Sequence, residues 1–298
     1  MVKQLQLKIL KSGLQTTIQD HGREHFRAFG VPKSGPMDLA SAQLANWLVG
    51  NPESAPLMEI TMVGPDIQFQ GQGQIAFAGA PFKVILDGQS LPFNRSIEID
   101  GQHNLTIGKA PKGCRCYMAI AGNWGLSSWL DSCSASPQSG TELTPDSVIE
   151  KGTTITIYNA KPVGLRSVSR PWIEAPKPVV RVLAGPEYHL FSTSAIKELL
   201  GEEFTITPQS NRMGYRLNNP LDNYRTPVEV ISSGVVPGTI QVTHSGQLIV
   251  LLADAQTTGG YPRIANVISA DQDKLAQMRP GDSFSFRLIS LKEAYELF

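Results

Sequence analysis

Cysteine is scarce. Cys114, Cys116 and Cys133 are the three in 298 residues, an odd and sparse count that excludes a disulfide framework. Cys114 and Cys116 lie two apart, so in a strand they share a face, as small buried fillers or as a reactive thiol. Charge is also low and carries no sign: 17% of residues are charged, with Lys+Arg and Asp+Glu both at 26. A neutral chain has no electrostatic reason to seek nucleic acid or an anionic membrane. No apolar run reaches the roughly 18 residues of a membrane span. The opening stretch MVKQLQLKILKSG alternates and is too polar for the apolar part of a signal peptide, so a cytoplasmic chain is expected.

Several chemical signatures are missing as well. Without G-x-x-x-x-G-K-[ST] there is no phosphate loop, and without G-x-S-x-G no nucleophile elbow. His21 and His25 lie four apart, but Gly22 weakens a helix there and H-E-x-x-H is not met, so no metal site is expected.

What is abundant is turn chemistry. The 27 glycines and 21 prolines are evenly scattered, as many short strands with tight turns require. Strand-like runs recur at 5–10, 74–79, 82–86, 96–99, 104–108, 115–122 and 153–159. A second series covers 178–185, 203–208, 228–234, 238–242, 247–253 and 283–289. Helices are few: 36–50, with Pro36 at its start and Gly50 at its end, and 189–201, ending at Gly201. Ser269 with Gln272 and Ser290 with Glu293 fit capping boxes of two short helices. A proline-rich stretch without periodicity separates the two series. The expected organisation is therefore a β-rich lobe over 1–160, a linker over 161–177 and a second β-rich lobe over 178–298. VGPDIQF (63–69) and AGPEYHLF (184–191) each carry Gly-Pro-acid at a strand end, an echo that suggests duplication.

Three segments carry candidate chemistry. In LADAQTTGGYPRIANV (252–267), Gly259 and Gly260 let a ligand approach the backbone. Gln256, Thr257 and Thr258 offer polar side chains, and Arg263 a forked cation suited to carboxylate or phosphate. The same composition also suits a plain strand-to-strand turn. In TTIQDHGREHFRAFGVPKSGPMD (16–38), Gln19, Asp20 and Arg23 lie in a glycine-punctuated segment between a strand and a helix, where loops often carry function. In SNRMGYRL (210–217), Arg212 and Tyr215 flank Gly214 in a pairing suited to an anionic or amide-bearing small molecule, or in an exposed turn.

The ordered motifs TTIQDHGR, GVPKSGPMD, ANWLVGN, SNRMGYRL, GVVPGTIQV and LADAQTTGGYPRIANV resemble the family of the 5-oxoprolinase C subunit. That family is also called allophanate hydrolase subunit 2, the KipI antagonist or the biotin-dependent carboxyltransferase family. The resemblance implies a mainly β fold of two cyclophilin-like β-barrel lobes with a few short helices. It implies work with the A subunit of 5-oxoprolinase and its KipI-like B subunit, which together cleave 5-oxoproline to L-glutamate using ATP. This chain lacks a phosphate loop, so ATP is expected at a partner. The alternatives are carboxyl transfer from biotin to urea and a non-catalytic regulator of a KipI-like partner. The chain contains no Met-Lys pair, so a biotinyl-lysine would come from another protein.

Under this resemblance Arg212 and Arg263 hold a substrate carboxylate or phosphorylated intermediate. Thr257, Thr258 and the backbone around Gly259 and Gly260 stabilise oxyanion charge, and Asp20, Asp254 or Tyr261 moves protons. Residues 116–136 depart from the family pattern. Asn123 and Trp124 follow Gly122 where a glycine pair is usual. Asp131-Ser132-Cys133-Ser134-Ala135 replaces a Gly-Ser-Arg-Ser-Thr segment.

Overall fold

The computed structural model describes residues 4–136, 140–160, 162–169, 178–221 and 230–297. The chain forms two compact units. The first comprises residues 1–23 and 34–174, the second residues 24–33 and 175–298. Each is built on a curled half-barrel sheet, so the molecule is mainly β, with four α-helices among the described residues.

Among the described residues the first unit holds ten strands: β1 (Gln4–Lys11), β2 (Gln15–Gln19), β3 (Leu57–Thr61), β4 (Asp66–Gly79), β5 (Val84–Leu86), β6 (Gln89–Ser90), β7 (Ser96–Ile107), β8 (Arg115–Ile120), β9 (Asn123–Trp124) and β10 (Thr154–Tyr158). The sheet runs β2-β3-β8-β4-β1-β10-β9, with β7 on β4, β5 on β7 and β6 on β5. The two stretches expected at 96–99 and 104–108 are one strand, because β4 supplies continuous pairing from Asp66↔Thr106 to Ala76↔Ser96. β2 and β3, which sequence periodicity did not mark, pair Gln15↔Thr61 through Gln19↔Leu57. β3 is buried along its whole length, so it shows no alternation.

Alternation along β4 and β8 sorts the core into two faces. Leu5, Leu7, Ile75, Phe77, Met118 and Ile120 join one cluster. The intervening Ala76, Ala78 and Ala119 are small, and helix α1 (Leu39–Leu48) lays Ala42, Ala45 and Leu48 against them. The helix begins at Leu39 and not at Pro36, because the polypeptide before it is already committed. Met37 N donates to Glu59 Oε2 and Asp38 N to the Tyr117 hydroxyl, both at 2.8 Å. Asp38 is therefore the N-cap, its carboxylate accepting from Ser41 N at 2.9 Å and Ser41 Oγ at 2.7 Å.

The second unit holds β11 (Val179–Ala184), β12 (Glu203–Thr205), β13 (Gly214–Arg216), β14 (Ser233–Gly234), β15 (Thr239–Val242), β16 (Leu248–Leu251), β17 (Thr258–Gly259), β18 (Arg263–Val267) and β19 (Ser283–Leu288). Seven form a sheet in the order β12-β19-β11-β18-β15-β16-β13, and β14 pairs with β17 separately. β11 and β19 run parallel; Val180, Phe204, Ile240, Val250 and Phe284 are among the residues buried here.

Helix α2 (Thr193–Gly201) starts after a tight 3-10 turn at 188–190 and is capped by Ser192, whose side chain accepts from Ala195 N. Of the two expected capping boxes, only Ser290–Glu293 forms, at the start of α4 (Leu291–Glu296). Ser269 is instead the first residue of α3 (Ser269–Ala276), after Ile268. The reason is that Ile268 N is held on Arg181 O at 3.1 Å, and Gln272 reaches Pro237 O at 3.3 Å. The two Gly-Pro-acid sequences occupy opposite places: residues 64–66 lead into β4, whereas 185–187 leave β11. Most of the 161–177 linker and the first two residues of the 228–234 run lie outside the described residues; of the rest of that run, only Ser233–Gly234 is a strand.

Candidate functional site

In the first unit, β2 leads into two buried polar residues. Gln19 spans its surroundings: its amide nitrogen reaches Thr17 Oγ1 at 3.1 Å and Ala135 O at 3.4 Å, and its oxygen accepts from Gly35 N at 3.1 Å. The Asp20 carboxylate accepts four hydrogen bonds: from Ser132 Oγ at 2.6 Å, Ser134 Oγ at 2.7 Å, Cys133 N at 2.7 Å and Gly22 N at 2.9 Å. Arg23, 1% exposed, donates to Ser134 O at 2.6 Å and stacks 5.0 Å from the Trp129 ring centroid. Three residues chosen from sequence thus meet the segment that departs from the family pattern. Ser132 and Ser134 fold that segment around one buried carboxylate, and at this position Asp20 acts as an anchor. Transferring a proton through Asp20 would mean giving up one of those four donors.

Cys133 sits in this loop, half-buried. Burial and the nearby Asp20 charge push its thiol up to about 11, so it is neutral at physiological pH and a poor nucleophile. Alkylation of Cys133 by iodoacetamide at pH 8 is expected to run about 100-fold slower than that of an unstructured cysteine peptide, a rate readable by mass spectrometry. Cys114 and Cys116 are buried fillers.

In the second unit, 210–217 and 252–263 do come together. β13 pairs with β16, and Arg212 meets Asp254 in a two-pronged ion pair, Nε–Oδ2 at 2.8 Å and Nη2–Oδ1 at 3.0 Å. Both side chains are almost fully buried. Arg263 makes a similar fork with Glu187, Nε to Oε2 at 2.7 Å and Nη2 to Oε1 at 2.5 Å. This holds the Glu187 carboxyl below its ordinary range, and Arg263 also donates to Gly234 O at 2.8 Å. The forked partner of each arginine is thus a carboxylate of this chain. Tyr215 is 2% exposed, its hydroxyl donating to Met278 O at 3.0 Å. Tyr261 lies at the surface with its ring edge-on to His244, centroids 5.5 Å apart.

The glycine-rich turn is held from beneath. Val235 N donates to Thr257 O at 3.0 Å, and β14 pairs Ser233↔Gly259 and Gly234↔Thr258. Gln241, 1% exposed, supports the turn from β15. Its amide nitrogen reaches Tyr261 O at 3.4 Å, and its oxygen accepts from Gln256 Nε2 at 3.3 Å. A Cβ on Gly259 would collide with that amide nitrogen. Gln256 and Thr257 are half-buried, while Thr258 and Gly260 are exposed.

Sequence reasoning missed Gln241, Glu187 and the buried Glu59–Tyr117 pair (2.8 Å) with Arg115 beside it. A charged residue inside the apolar run 57–61 was the one available signal for Glu59. Gln241 is one of two polar residues, with Thr239, in a four-residue strand, and nothing local marks it.

Among the described residues, no group of three or more His, Cys, Asp or Glu is placed to hold a metal. Arg212 and Arg263, the two cations expected to meet an anion, are each forked onto a carboxylate. No helix among the described residues is long and apolar enough to cross a membrane.

Residues 29–288 match the family model "Carboxyltransferase domain, subdomain A and B". The chain is 36% identical to the 5-oxoprolinase C subunit of Escherichia coli (strain K12) over 97% of its own length and 93% of that protein's. The crystal structure of TTHA0988 superposes with a TM-score of 0.84 at 30% identity over 95% of this chain, which spans 56% of that one. The K. lactis urea amidolyase gives a TM-score of 0.87 at 26% identity over 98% of this chain, which spans 19% of that enzyme.

Proposed function

Because this chain belongs to the family of the carboxyltransferase domain, subdomains A and B, we propose that it is the C subunit of an ATP-dependent 5-oxoprolinase. Acting with the A subunit and a KipI-like B subunit, it helps open 5-oxoproline to L-glutamate. The observation that carries the reading is the end-to-end match to the E. coli C subunit, over 97% of one chain and 93% of the other.

The chemistry required is hydrolysis of a ring amide whose nitrogen donates into its carbonyl. The part this chain contributes is recognition and charge stabilisation at the 256–261 turn. Thr257, Thr258 and the N–H groups beside Gly259 and Gly260 face a reacting carbonyl oxygen, each well-placed donor being worth about 3 kcal/mol in the transition state. ATP is assigned to a partner protein. Gln19, Asp20 and Arg23 shape the first unit's contribution through the 132–135 loop.

The likeness to urea amidolyase favours a second reading, in which the chain accepts a carboxyl group from a biotin carried elsewhere and passes it to urea. Reconstitution with the A and B subunits separates them. ATP-dependent release of glutamate from 5-oxoproline, absent when this chain is omitted, is the expected result. Avidin-sensitive fixation of bicarbonate onto urea would transfer the assignment to the second reading. Tight binding of the B subunit with neither activity would make the chain a regulator.

A further inference from the structure

We propose that Gln241 is a positioning residue that fixes the direction of the Gln256 amide, so that this site selects ligands bearing an N–H. The argument is one of donors and acceptors. The Tyr261 backbone carbonyl can only accept, so the Gln241 atom that meets it is the NH₂ group. The other end of that amide is therefore an oxygen, which can only accept. The Gln256 atom that meets it must in turn be its NH₂ group.

Gln256 is left with its oxygen as its second polar end, half-buried beside the exposed Thr258 and Gly260. Two amides in series thus convert a fixed backbone carbonyl into an acceptor at the turn, and the ambiguity of an amide flip is removed by the chain of contacts.

The register supports it. β15 and β18 slip by one residue between Ile240 and Gln241, an irregularity of the kind that re-aims a side chain. Gly259 is the other half of the device. Its φ is not left-handed, so the backbone does not demand glycine there; the space occupied by the Gln241 amide does.

On the functional reading given above, the N–H recognised is that of the lactam ring. The inference relies on that reading for the ligand's identity, not for the direction of the amides. A lactone of the same shape, with ring oxygen in place of N–H, would set lone pair against lone pair.

The test measures binding of 5-oxoproline and of its ring-oxygen analogue to the full chain assembled with its partner proteins. The wild type is expected to prefer the lactam by ~5- to 150-fold. Gln241→Leu frees Gln256 to turn, and Gly259→Ala displaces the Gln241 amide. Each is expected to bring the ratio to within about threefold of one, with lactone binding in Gln241→Leu unchanged or improved and the unfolding midpoint confirming a folded chain. A merely structural role would weaken both ligands together and leave the ratio alone.

Independently of any ligand, the side-chain amide protons of Gln241 and Gln256 should exchange slowly with solvent in the wild type, and those of Gln256 fast in Gln241→Leu. Equal binding of the two ligands by the wild type, a ratio that survives in both variants, or free exchange at Gln256 overturns the proposal. Absence of glutamate release with slow exchange and lactam preference intact removes the 5-oxoprolinase assignment alone.

Discussion

Replacing Asp254 with alanine is expected to cost about 3–5 kcal/mol of unfolding free energy, read as a shift of the urea midpoint. The size follows from what remains. Arg212 is 4% exposed, and its guanidinium would be left buried without the carboxylate that now takes two of its N–H groups. The backbone link from Asp254 N to Arg212 O, at 3.0 Å, survives the substitution, so the loss reports the charge and not the strand pairing. Removing both charges, as Arg212→Leu with Asp254→Leu, should cost less than Asp254→Ala alone, because the guanidinium is then not buried without its carboxylate. A double variant as unstable as the single one would mean that packing, not charge, dominates at this position. Glutamate release should fall with folded population in these variants and not further, since the pair serves the framework.

A second large effect is expected at Asp20. Asparagine matches its shape but turns one acceptor into a donor, against a ring of partners that now all donate: two serine hydroxyls aimed at it and two backbone N–H groups. The expected loss is about 3 kcal/mol, within the range for charge-assisted hydrogen bonds. It should be local. Hydrogen exchange is expected to rise over 132–135 while the strand core stays protected. Because the Asp20 charge helps hold the Cys133 thiol high, Asp20→Asn should also speed alkylation of Cys133 at pH 8. An unchanged alkylation rate together with unchanged exchange would show that the loop does not depend on this carboxylate.

The parts of the fold that sequence revealed were those with a face. β1 buries every second residue over most of its length, and its alternation is plain in LQLKIL. β3 buries every residue and has no period to read. β18 is hidden inside a motif that reads as loop, because its Arg263 and Asn266 interrupt the apolar pattern of a five-residue strand. Capping was legible where the local chain was free to obey it, as at Ser290, and illegible at Ser269, where strand β11 dictates the backbone of the preceding residue.

Among the chosen site residues, the two clusters were found because glycines and short polar side chains advertise turns. What each side chain does there was not legible, because it depends on partners far along the chain. Asp20 meets residues 112 to 114 positions away, and Arg263 meets Glu187 from 76 away. Gln241 is recognisable only once the turn it supports has coordinates.

Residues 24–33 belong to the second unit although the chain on both sides of them belongs to the first. Within that unit the Arg27 guanidinium donates to the Val235 carbonyl, next to the Thr257 contact of Val235 N. The consequence is genetic as much as physical. A gene divided between the two lobes would yield a C-terminal product missing a strip of its own body, and an N-terminal product carrying that strip as an orphan. Inheritance of the two lobes as one reading frame is thereby favoured, and any engineered split of this protein has to graft the strip onto the other half.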